Sequence, residues 1–435
     1  YVVCRLHFWH HETRFVTLDA LVGLSSAGRL LSATWKLENR DLWPQPRIAQ
    51  SKRMTDLLRQ DIMSAADMVV VKVGTRVLTQ ANGMLDSHQI VSIAGQIARL
   101  AEAGRRVVLV SSGAVGAGLA RMEQQVRPSD LASLQAAAAV GQSVLIESYN
   151  RALEPHKLHA AQVLLSASDL QDRTRYLNVR NALMALFQFG AVPIINENDT
   201  VSVEELQLSF GDNDRLAALV TNLLRAPLLV LLSDIDGLYD GDPKDPQAKV
   251  LSVVTDLDAA QQQHVHDNSQ VGMQLSTGGM ASKLQAVRIA TAAGENVVIA
   301  NGRRERVLDD ILSGEDIGTL ILAEGPMVDS RKRWIGWSAN PAGSLKLDKG
   351  ACQAIQSGGR SLLSVGVTAV DGCFDKGDVI SICDLQNREI ARGLTNYSAA
   401  ELQKIAGQPT ERIAELLGYC PYDEVVHRNN LVLVG

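Results

Sequence analysis

The sequence has few cysteines, and their spacing would build neither a disulfide framework nor a zinc site. Five cysteines occur in 435 residues, and no two of them form a C-x-x-C pair. Such sparse use is typical of reduced thiols in the cytosol. We therefore expect a cytoplasmic protein in which the chain itself supplies no metal site.

The sequence also lacks long apolar runs and an excess of positive charge. No uninterrupted apolar run approaches the roughly 20 residues that span a membrane. Asp19 and Arg29 interrupt the apolar stretch near the N-terminus, which makes it a poor secretory signal. The formal net charge is −6, whereas general nucleic-acid binding favours a basic surface. We therefore expect neither a membrane partner nor general affinity for nucleic acid.

From Met68 onward, short apolar strands alternate with amphipathic helices. A strand at 68–73, a helix with Ser87 as its N-cap and a strand at 107–110 predict a β-α-β unit with a right-handed crossover. Near-continuous Val, Ile and Leu strands in this alternation predict a three-layer αβα sandwich around a mainly parallel sheet. The other expected elements are helices at 131–153, 175–189 and 281–293, and strands at 162–165, 191–195, 228–232 and 296–300.

Polar or glycine-containing clusters follow several of these strands. Because ligands of open α/β sheets bind beyond the carboxyl ends of the strands, the clusters predict one composite site at that edge. The clusters lie at 72–74, 111–113, 196–199, 233–234 and 301–302.

Two of the polar segments suit a small zwitterionic substrate. Asn196-Glu197-Asn198-Asp199 ends a buried strand, and Gly211-Asp212-Asn213-Asp214 comes just before the helix expected from Arg215. Carboxylates can hold an ammonium group, and amides and helix N-termini can hold carboxylates. A pair of Asx-rich turns is the structural alternative.

A glycine-containing segment and two lysines point to phosphoryl transfer. The segment 277–283 places two glycines before a helix and Lys283 in its first turn, so that backbone N–H groups can approach a phosphate. It is not a Walker loop. Lys72 lies inside an apolar strand and needs a buried partner, for which Asp214 is the best candidate. Such a site would act by positioning and charge stabilisation.

Several motifs, in this order along the chain, resemble the glutamate 5-kinase family of the amino acid kinase superfamily. The resemblance extends from about residue 67 to the C-terminus. Acetylglutamate kinases, the related alternative, usually carry two consecutive glycines where this chain has Gly74-Thr75. The motifs are Val71-Lys72-Val73-Gly74-Thr75, Ser111-Ser112-Gly113-Ala114, Ile195-Asn196-Glu197-Asn198-Asp199, Gly211-Asp212-Asn213-Asp214, Gly237-Leu238-Tyr239 and Gly278-Gly279-Met280-Ala281-Ser282-Lys283.

The resemblance implies a role for each matching position. It makes Lys72, Asp214 and Lys283 the catalytic residues. It makes Ser112, Asn196, Asp199 and Asn213 the glutamate-binding residues. The implied ATP-binding residues are Lys72, Gly74, Ser233, Asp234, Thr277, Gly278, Gly279, Met280, Ala281, Ser282 and Lys283. Ser233 and Ala281 stand where threonine and serine are frequent in the family, which leaves only fine ATP contacts in doubt.

The reaction implied by the resemblance is the ATP-dependent phosphorylation of the L-glutamate side chain, the first step of proline biosynthesis. A side-chain carboxylate with a pKa near ~4.3 is already ionised at neutral pH, so no general base is needed. Mg²⁺ is expected to arrive with the nucleotide rather than in a protein cage. The family also implies a homo-oligomer and feedback inhibition by proline.

Changes of pattern divide the chain into four expected parts. Residues 1–62 show no clear alternation and are expected to be a non-catalytic N-terminal extension. A catalytic domain at 63–325 and a linker at 326–341 precede a C-terminal domain at 342–435. This last domain has short strand-like pieces separated by turns, at 367–370, 379–383 and 389–392.

The C-terminal pieces resemble a PUA domain, a small β-barrel found in RNA-modifying enzymes and on many bacterial glutamate 5-kinases. The resemblance raises an alternative of another class, an RNA-binding protein. Residues 342–420 hold eight lysines and arginines against nine aspartates and glutamates, whereas RNA binding favours a basic module. We expect a structural or regulatory role for this domain.

Overall fold

The computed structural model describes residues 2–8, 16–22, 52–80, 83–124, 126–201, 212–243, 245–257, 279–325, 330–357 and 359–434. The chain divides into two compact units, residues 1–52 and 53–435. In the first unit, strands β1 (Val2–Phe8) and β2 (Val16–Val22) pair in antiparallel fashion. None of the helices within these ranges is long and apolar enough to cross a membrane.

An eight-stranded sheet lies at the centre of the second unit. Its strands are β3 (Met68–Val73), β4 (Arg106–Ser111), β5 (His159–Leu165), β6 (Ala191–Glu197), β7 (Leu228–Ser233), β8 (Val253–Val254), β9 (Asn296–Asn301) and β10 (Thr319–Ile321). Their order in space is β5-β6-β4-β3-β7-β9-β10-β8. Every neighbouring pair is parallel except β9 and β10. The predicted mainly parallel sheet is confirmed.

Helices cover both faces of this sheet. They are α1 (Lys52–Ala65), α2 (Thr75–Leu78), α3 (Ser87–Glu102), α4 (Ala114–Arg121), α5 (Leu131–Leu153), α6 (Ala167–Gln171), α7 (Arg173–Gln188), α8 (Asp212–Leu224), α9 (Gly279–Ala292) and α10 (Val307–Leu312). Successive strand residues point to opposite faces, so Val70 packs with α7, α8 and α9, and Val71 packs with α3, α5 and α10. Two hydrophobic cores on one sheet make the predicted three layers.

The ends of three elements differ from the sequence expectations. Asp86, rather than Ser87, caps α3, because its carboxylate accepts a hydrogen bond from the backbone N–H of Gln89. Strand β6 extends to Glu197, because its pairing with β5 continues as far as Leu165. Helix α8 begins at Asp212, so Asn213 and Asp214 lie in its first turn rather than before it.

Helix α1 crosses the boundary expected between residues 62 and 63. Arg59, in the middle of this helix, is fully buried. Its guanidinium donates hydrogen bonds to the carbonyl oxygens of Ser252, Ile317 and Gly318, at 2.5, 3.2 and 3.0 Å, and lies 3.2 Å from the Asp316 carboxylate. Helix α1 is therefore fixed to the loops that flank β8 and β10. We propose that the catalytic domain begins near residue 53.

The C-terminal part of the second unit contains its own sheets. A five-stranded sheet has the order β13 (Val367–Gly372), β11 (Gly343–Leu347), β14 (Val379–Cys383), β15 (Glu389–Leu394) and β17 (Leu431–Leu433), and β12 (Leu362–Leu363) pairs with β16 (Glu424–Val426) beside it. These elements enclose a separate hydrophobic core that includes Leu345, Ile380 and Leu402. Short helices lie at Lys349–Gln356, Ala399–Ile405 and Ile413–Leu417.

The segment that joins the two domains is helical and packed. Helix α11 (Ser330–Arg333) continues into a π-helical turn, Trp334–Ser338. Trp334 packs in the hydrophobic core of the sandwich together with Val379 and Val432 of the C-terminal domain. Its indole N–H donates to the carbonyl oxygen of Gln171 at 3.1 Å. The described part of the expected linker therefore belongs to the contact between the domains.

We expect Arg59→Met to lower the free energy of unfolding by about 2–4 kcal/mol, because buried carbonyl groups lose a charged donor. A chain that starts at Met63 should lose the same contacts and melt at a similarly reduced temperature, whereas a chain that starts at Arg53 should not. Thermal and urea unfolding measure these differences. Arg151→Met is the matched control, because this helical arginine is exposed and pairs with the exposed Glu147, so its replacement should cost less than about 1 kcal/mol. Equal melting of the Arg59 and Arg151 variants would contradict the assignment.

Candidate active site

Lys72 and Asp214 form a buried ion pair at the centre of the sheet edge. Lys72 lies on the same face of β3 as Met68 and Val70, which is the face covered by α8 and α9. Its ammonium is 2.6 Å from Asp214 Oδ1, and the side chains are only 7% and 1% exposed. The ion pair thus joins a central strand to the first turn of α8, and it has the partner that the sequence analysis expected for Lys72.

Lys283 approaches the same carboxylate from α9. Its Nζ lies 3.3 Å from Asp214 Oδ2, and the hydroxyl of Ser282 lies 3.4 Å from that oxygen. One carboxylate therefore holds two ammonium groups that come from different elements. Helix α9 begins at Gly279, and its first turn also contains Met280 and Ala281. Thr277 and Gly278, two of the expected ATP-binding residues, lie outside the described residues.

A second polar cluster lies where β4, β6 and α8 end or begin. The side-chain amide of Asn213 donates to Ser112 Oγ at 3.0 Å and to Asn196 Oδ1 at 3.0 Å. All three side chains are buried. The structure thus brings together three of the four residues expected to bind glutamate, and Asn213 lies beside Asp214 in the chain.

The fourth expected residue, Asp199, is connected to this cluster through Gln142. The Gln142 amide nitrogen lies 3.3 Å from Asp199 Oδ2 and 3.2 Å from the carbonyl oxygen of Glu197. Its oxygen accepts a hydrogen bond from Asn196 Nδ2 at 3.2 Å. The sequence analysis did not identify Gln142. The only local signal is its place on the buried face of α5, next to Gly141.

Two close backbone contacts fix the elements around this cluster. Gly113, directly after Ser112, has φ of 101°, a conformation that favours glycine, and serves as the N-cap of α4. Helices α4 and α5 cross so closely that a Cβ at Gly118 would lie 1.7 Å from the carbonyl oxygen of Ala137. A Cβ at Gly141 would meet the carbonyl oxygen of Ala114 at the same distance. Larger side chains at these two glycines would force apart the helices that flank Ser112 and Gln142.

Asn213 keeps one buried acceptor available. Within the described ranges, no donor reaches its Oδ1 atom. The orientation of the amide follows from Asn196 Oδ1, which accepts from the backbone N–H of Glu197 at 2.9 Å and must therefore face a donor on Asn213. The open atom of Asn213 is thus an oxygen suited to an ammonium donor. The sequence analysis had expected amides to meet carboxylates.

Ser233 and Asp234 lie at the end of β7, next to β3. The Ser233 hydroxyl lies 3.1 Å from Asp234 Oδ1, and Arg76 pairs with Asp234 at 2.9 Å. Burial opposes ionisation of Asp234, but the hydrogen bond from Arg76, with smaller contributions from Ser233 and the backbone, holds the pKa of Asp234 below its ordinary value. Gly74, another expected ATP-binding residue, donates its backbone N–H to Leu232. These groups border the cluster formed by the two lysines on the side of β7.

The buried ion pair predicts coupled stability effects in the nucleotide-free protein. Asp214→Ala should lower the free energy of unfolding by about 3–5 kcal/mol, because it leaves the Lys72 ammonium buried without its carboxylate. Adding Lys72→Met should recover part of that loss. Combining Asp214→Ala with Lys349→Met, a lysine in the C-terminal domain, should give only the sum of the single effects. Additive effects for Lys72 and Asp214 in urea unfolding would show that the pair is not coupled.

Comparisons with known proteins identify the family. A model of the amino acid kinase family matches residues 67–301, which is more than half of the chain, and a PUA domain model matches residues 343–417. The glutamate 5-kinase of Rhodopirellula baltica is 46% identical over 385 residues, covering 88% of this chain and 98% of that protein. The glutamate 5-kinase of Desulfotalea psychrophila is 44% identical over 380 residues, covering 87% of this chain and 100% of that protein. The chain therefore belongs to the amino acid kinase family, and these relatives, which it matches over most of its length, are glutamate 5-kinases.

Proposed function

We propose that the protein transfers a phosphoryl group from ATP to the side-chain carboxylate of L-glutamate, giving L-glutamyl 5-phosphate and ADP, the first step of proline biosynthesis. The observation that carries the proposal is the contact of one carboxylate, Asp214, with two lysines, beside the cluster of Ser112, Asn196 and Asn213. A site for anionic phosphates thus adjoins a site for a small polar substrate.

The two lysines address the main difficulty of this reaction, which is charge. The attacking carboxylate is ionised at neutral pH and approaches an anionic triphosphate. Lys72 and Lys283 offset this repulsion, and they stabilise the charge that moves to the oxygen between the β- and γ-phosphates as that bond breaks. Asp214 holds both ammonium groups in place before the substrates arrive. Their positions therefore require little reorganisation during transfer.

The polar cluster is suited to the amino-acid end of glutamate. Asp199 and the open oxygen of Asn213 are acceptors for the α-ammonium group, and the Ser112 hydroxyl can donate to a carboxylate. The first turns of α4 and α8 add backbone N–H groups that favour negative charge. The substrate would lie with its ammonium group towards β6 and its side-chain carboxylate towards the lysines.

Mg²⁺ fits this site as an ion carried by ATP. Asp214 already contacts two ammonium groups, and within the described ranges no group of three or more His, Cys, Asp or Glu side chains is placed to hold a metal ion. We expect the ATP phosphates and water to supply its ligands. When bound, the ion neutralises part of the phosphate charge. A cytoplasmic location, homo-oligomerisation and inhibition by proline remain predictions.

The function is tested by the choice of substrate. In an ATP-dependent hydroxamate assay, we expect product with free L-glutamate and much less with N-acetylglutamate, because acetylation removes the ammonium group that Asp199 and Asn213 would accept. Aspartate serves as the control for side-chain length. A preference for N-acetylglutamate would favour the alternative, an acetylglutamate kinase.

Kinetic measurements distinguish the role proposed for the two lysines from the role proposed for the polar cluster around Asn213. Lys283→Met should lower kcat by about 10²–10³-fold with little change in the glutamate KM, because it removes a preorganised charge in the transition state. Asn213→Ala should instead raise the glutamate KM by about tenfold or more. Lys349→Met is the control for loss of a lysine outside the site, and thermal melts verify folding. A folded Lys283→Met enzyme with normal kcat would exclude a catalytic role for this lysine.

A further inference from the structure

We propose that Gln142 is a positioning residue for the amino-acid site, and that its side-chain amide, itself oriented through Asn196, directs the Asp199 carboxylate towards the α-ammonium group of the substrate. The inference rests on the proposed function, because it takes the polar cluster to be the glutamate site. It concerns a residue outside the motifs that carry the family resemblance.

The Gln142 amide is the one hydrogen-bonding group that connects Asp199 with Asn196 among the described contacts. Its nitrogen donates to Asp199 Oδ2 at 3.3 Å, and its oxygen accepts from Asn196 at 3.2 Å. The nitrogen also lies 3.2 Å from the carbonyl oxygen of Glu197. A single amide thus contacts a strand end, a strand residue and the loop that follows.

The direction of every hydrogen bond in this chain of amides follows from one backbone group. The N–H of Glu197 can only donate, so the atom of Asn196 that it contacts must be the oxygen. Asn196 therefore presents its nitrogen to Gln142, and Gln142 presents its own nitrogen to Asp199. The group between Asn196 and Asp199 must therefore accept a hydrogen bond from Asn196 and donate one to Asp199, which a neutral amide can do.

Gln142 has little freedom to move. It is 7% exposed, and the preceding residue, Gly141, lies in the close crossing of α4 and α5. The same crossing fixes α4, whose N-cap follows Ser112. The helix pair therefore determines the positions of Ser112 on one side of the site and of Asp199 on the other.

The Asp199 carboxylate can accept hydrogen bonds both from Gln142 and from the substrate ammonium group. An ionised carboxylate has about four acceptor sites, and Gln142 occupies one of those on Oδ2. The hydrogen bond restricts rotation of the carboxylate and so helps to fix the direction from which it can accept an ammonium group. Loss of the amide would remove this restraint on the Asp199 carboxylate, which should weaken binding of the ammonium group without affecting the nucleotide.

The key variant is Gln142→Leu, which keeps the approximate size of the side chain and removes both hydrogen-bonding groups. We expect the KM for glutamate to rise at least about tenfold, while the KM for ATP changes less than about threefold. Gln96→Leu is the matched control. Gln96 is a buried glutamine of α3 that accepts a hydrogen bond from the backbone N–H of Leu308, in α10. Its replacement should lower the melting temperature and leave the glutamate KM unchanged.

Gln142→Glu adds a readout that a purely structural role would not give. A protonated glutamic acid can donate to Asp199 and accept from Asn196, whereas an ionised one repels the Asp199 carboxylate. The carboxylates on the contacted residues are those of Asp199 and Glu197. We therefore expect the glutamate KM of this variant, relative to wild type at each pH, to approach normal near pH 6 and to rise towards pH 8.

The outcomes separate the two proposals. If Gln142→Leu folds and its glutamate KM equals that of wild type, Gln142 only satisfies buried polar groups and the inference is wrong. If Gln142→Leu does not fold, the Gln142→Glu profile decides, and a KM ratio that is independent of pH overturns the inference. A wild-type protein inactive towards glutamate would overturn the proposed function itself, and this inference with it.

Discussion

The buried contact between Lys72 and Asp214 is the interaction on which the rest of the site depends. A lysine in a strand buried on both faces requires a counter-charge that is also buried, because an unpaired ammonium there would be strongly destabilising. That requirement fixes the first turn of α8 over the end of β3. Since Asn213 precedes Asp214 in the same turn, the ion pair also fixes the position of Asn213 in the polar cluster with Ser112 and Asn196. In the proposed function, adjacent residues of one helix thus position the two substrates.

The two parts of the site differ in the charge of the side chains that form them. On the proposed nucleotide side, two ammonium groups contact one carboxylate and are available to face phosphate together. On the amino-acid side, neutral amides form a directed chain that carries no net charge and ends at Asp199. Such a chain holds a carboxylate without neutralising it. In the proposed function, the separation of these two clusters along α8 would bind a substrate that carries both charges in a single orientation.

The sequence predicted the sheet, its main helices and the pairing of Lys72 with Asp214, because periodicity and the rule against unpaired buried charge are local signals. Element ends were less accurate, since the extension of β6 to Glu197 depends on pairing with β5. Gln142 and Arg59 were not identified, because no motif includes them and their partners follow only from tertiary packing. The packing of Trp334 was missed for the same reason: a short segment rich in breaks resembles a linker until its tertiary contacts are known.

The packed connection at 330–341 limits the positions at which recombination could exchange the C-terminal domain. Trp334 shares one hydrophobic core with Val379 and Val432, and the buried Arg333 pairs with the buried Glu295, just beyond α9. Any recombination that exchanged the C-terminal domain at residue 341 would separate side chains that pack against each other across the junction. A viable crossover would have to lie before residue 330 and carry a compatible partner for Glu295. The two domains are therefore expected to diverge together, as a single module in evolution, although each encloses a core of its own.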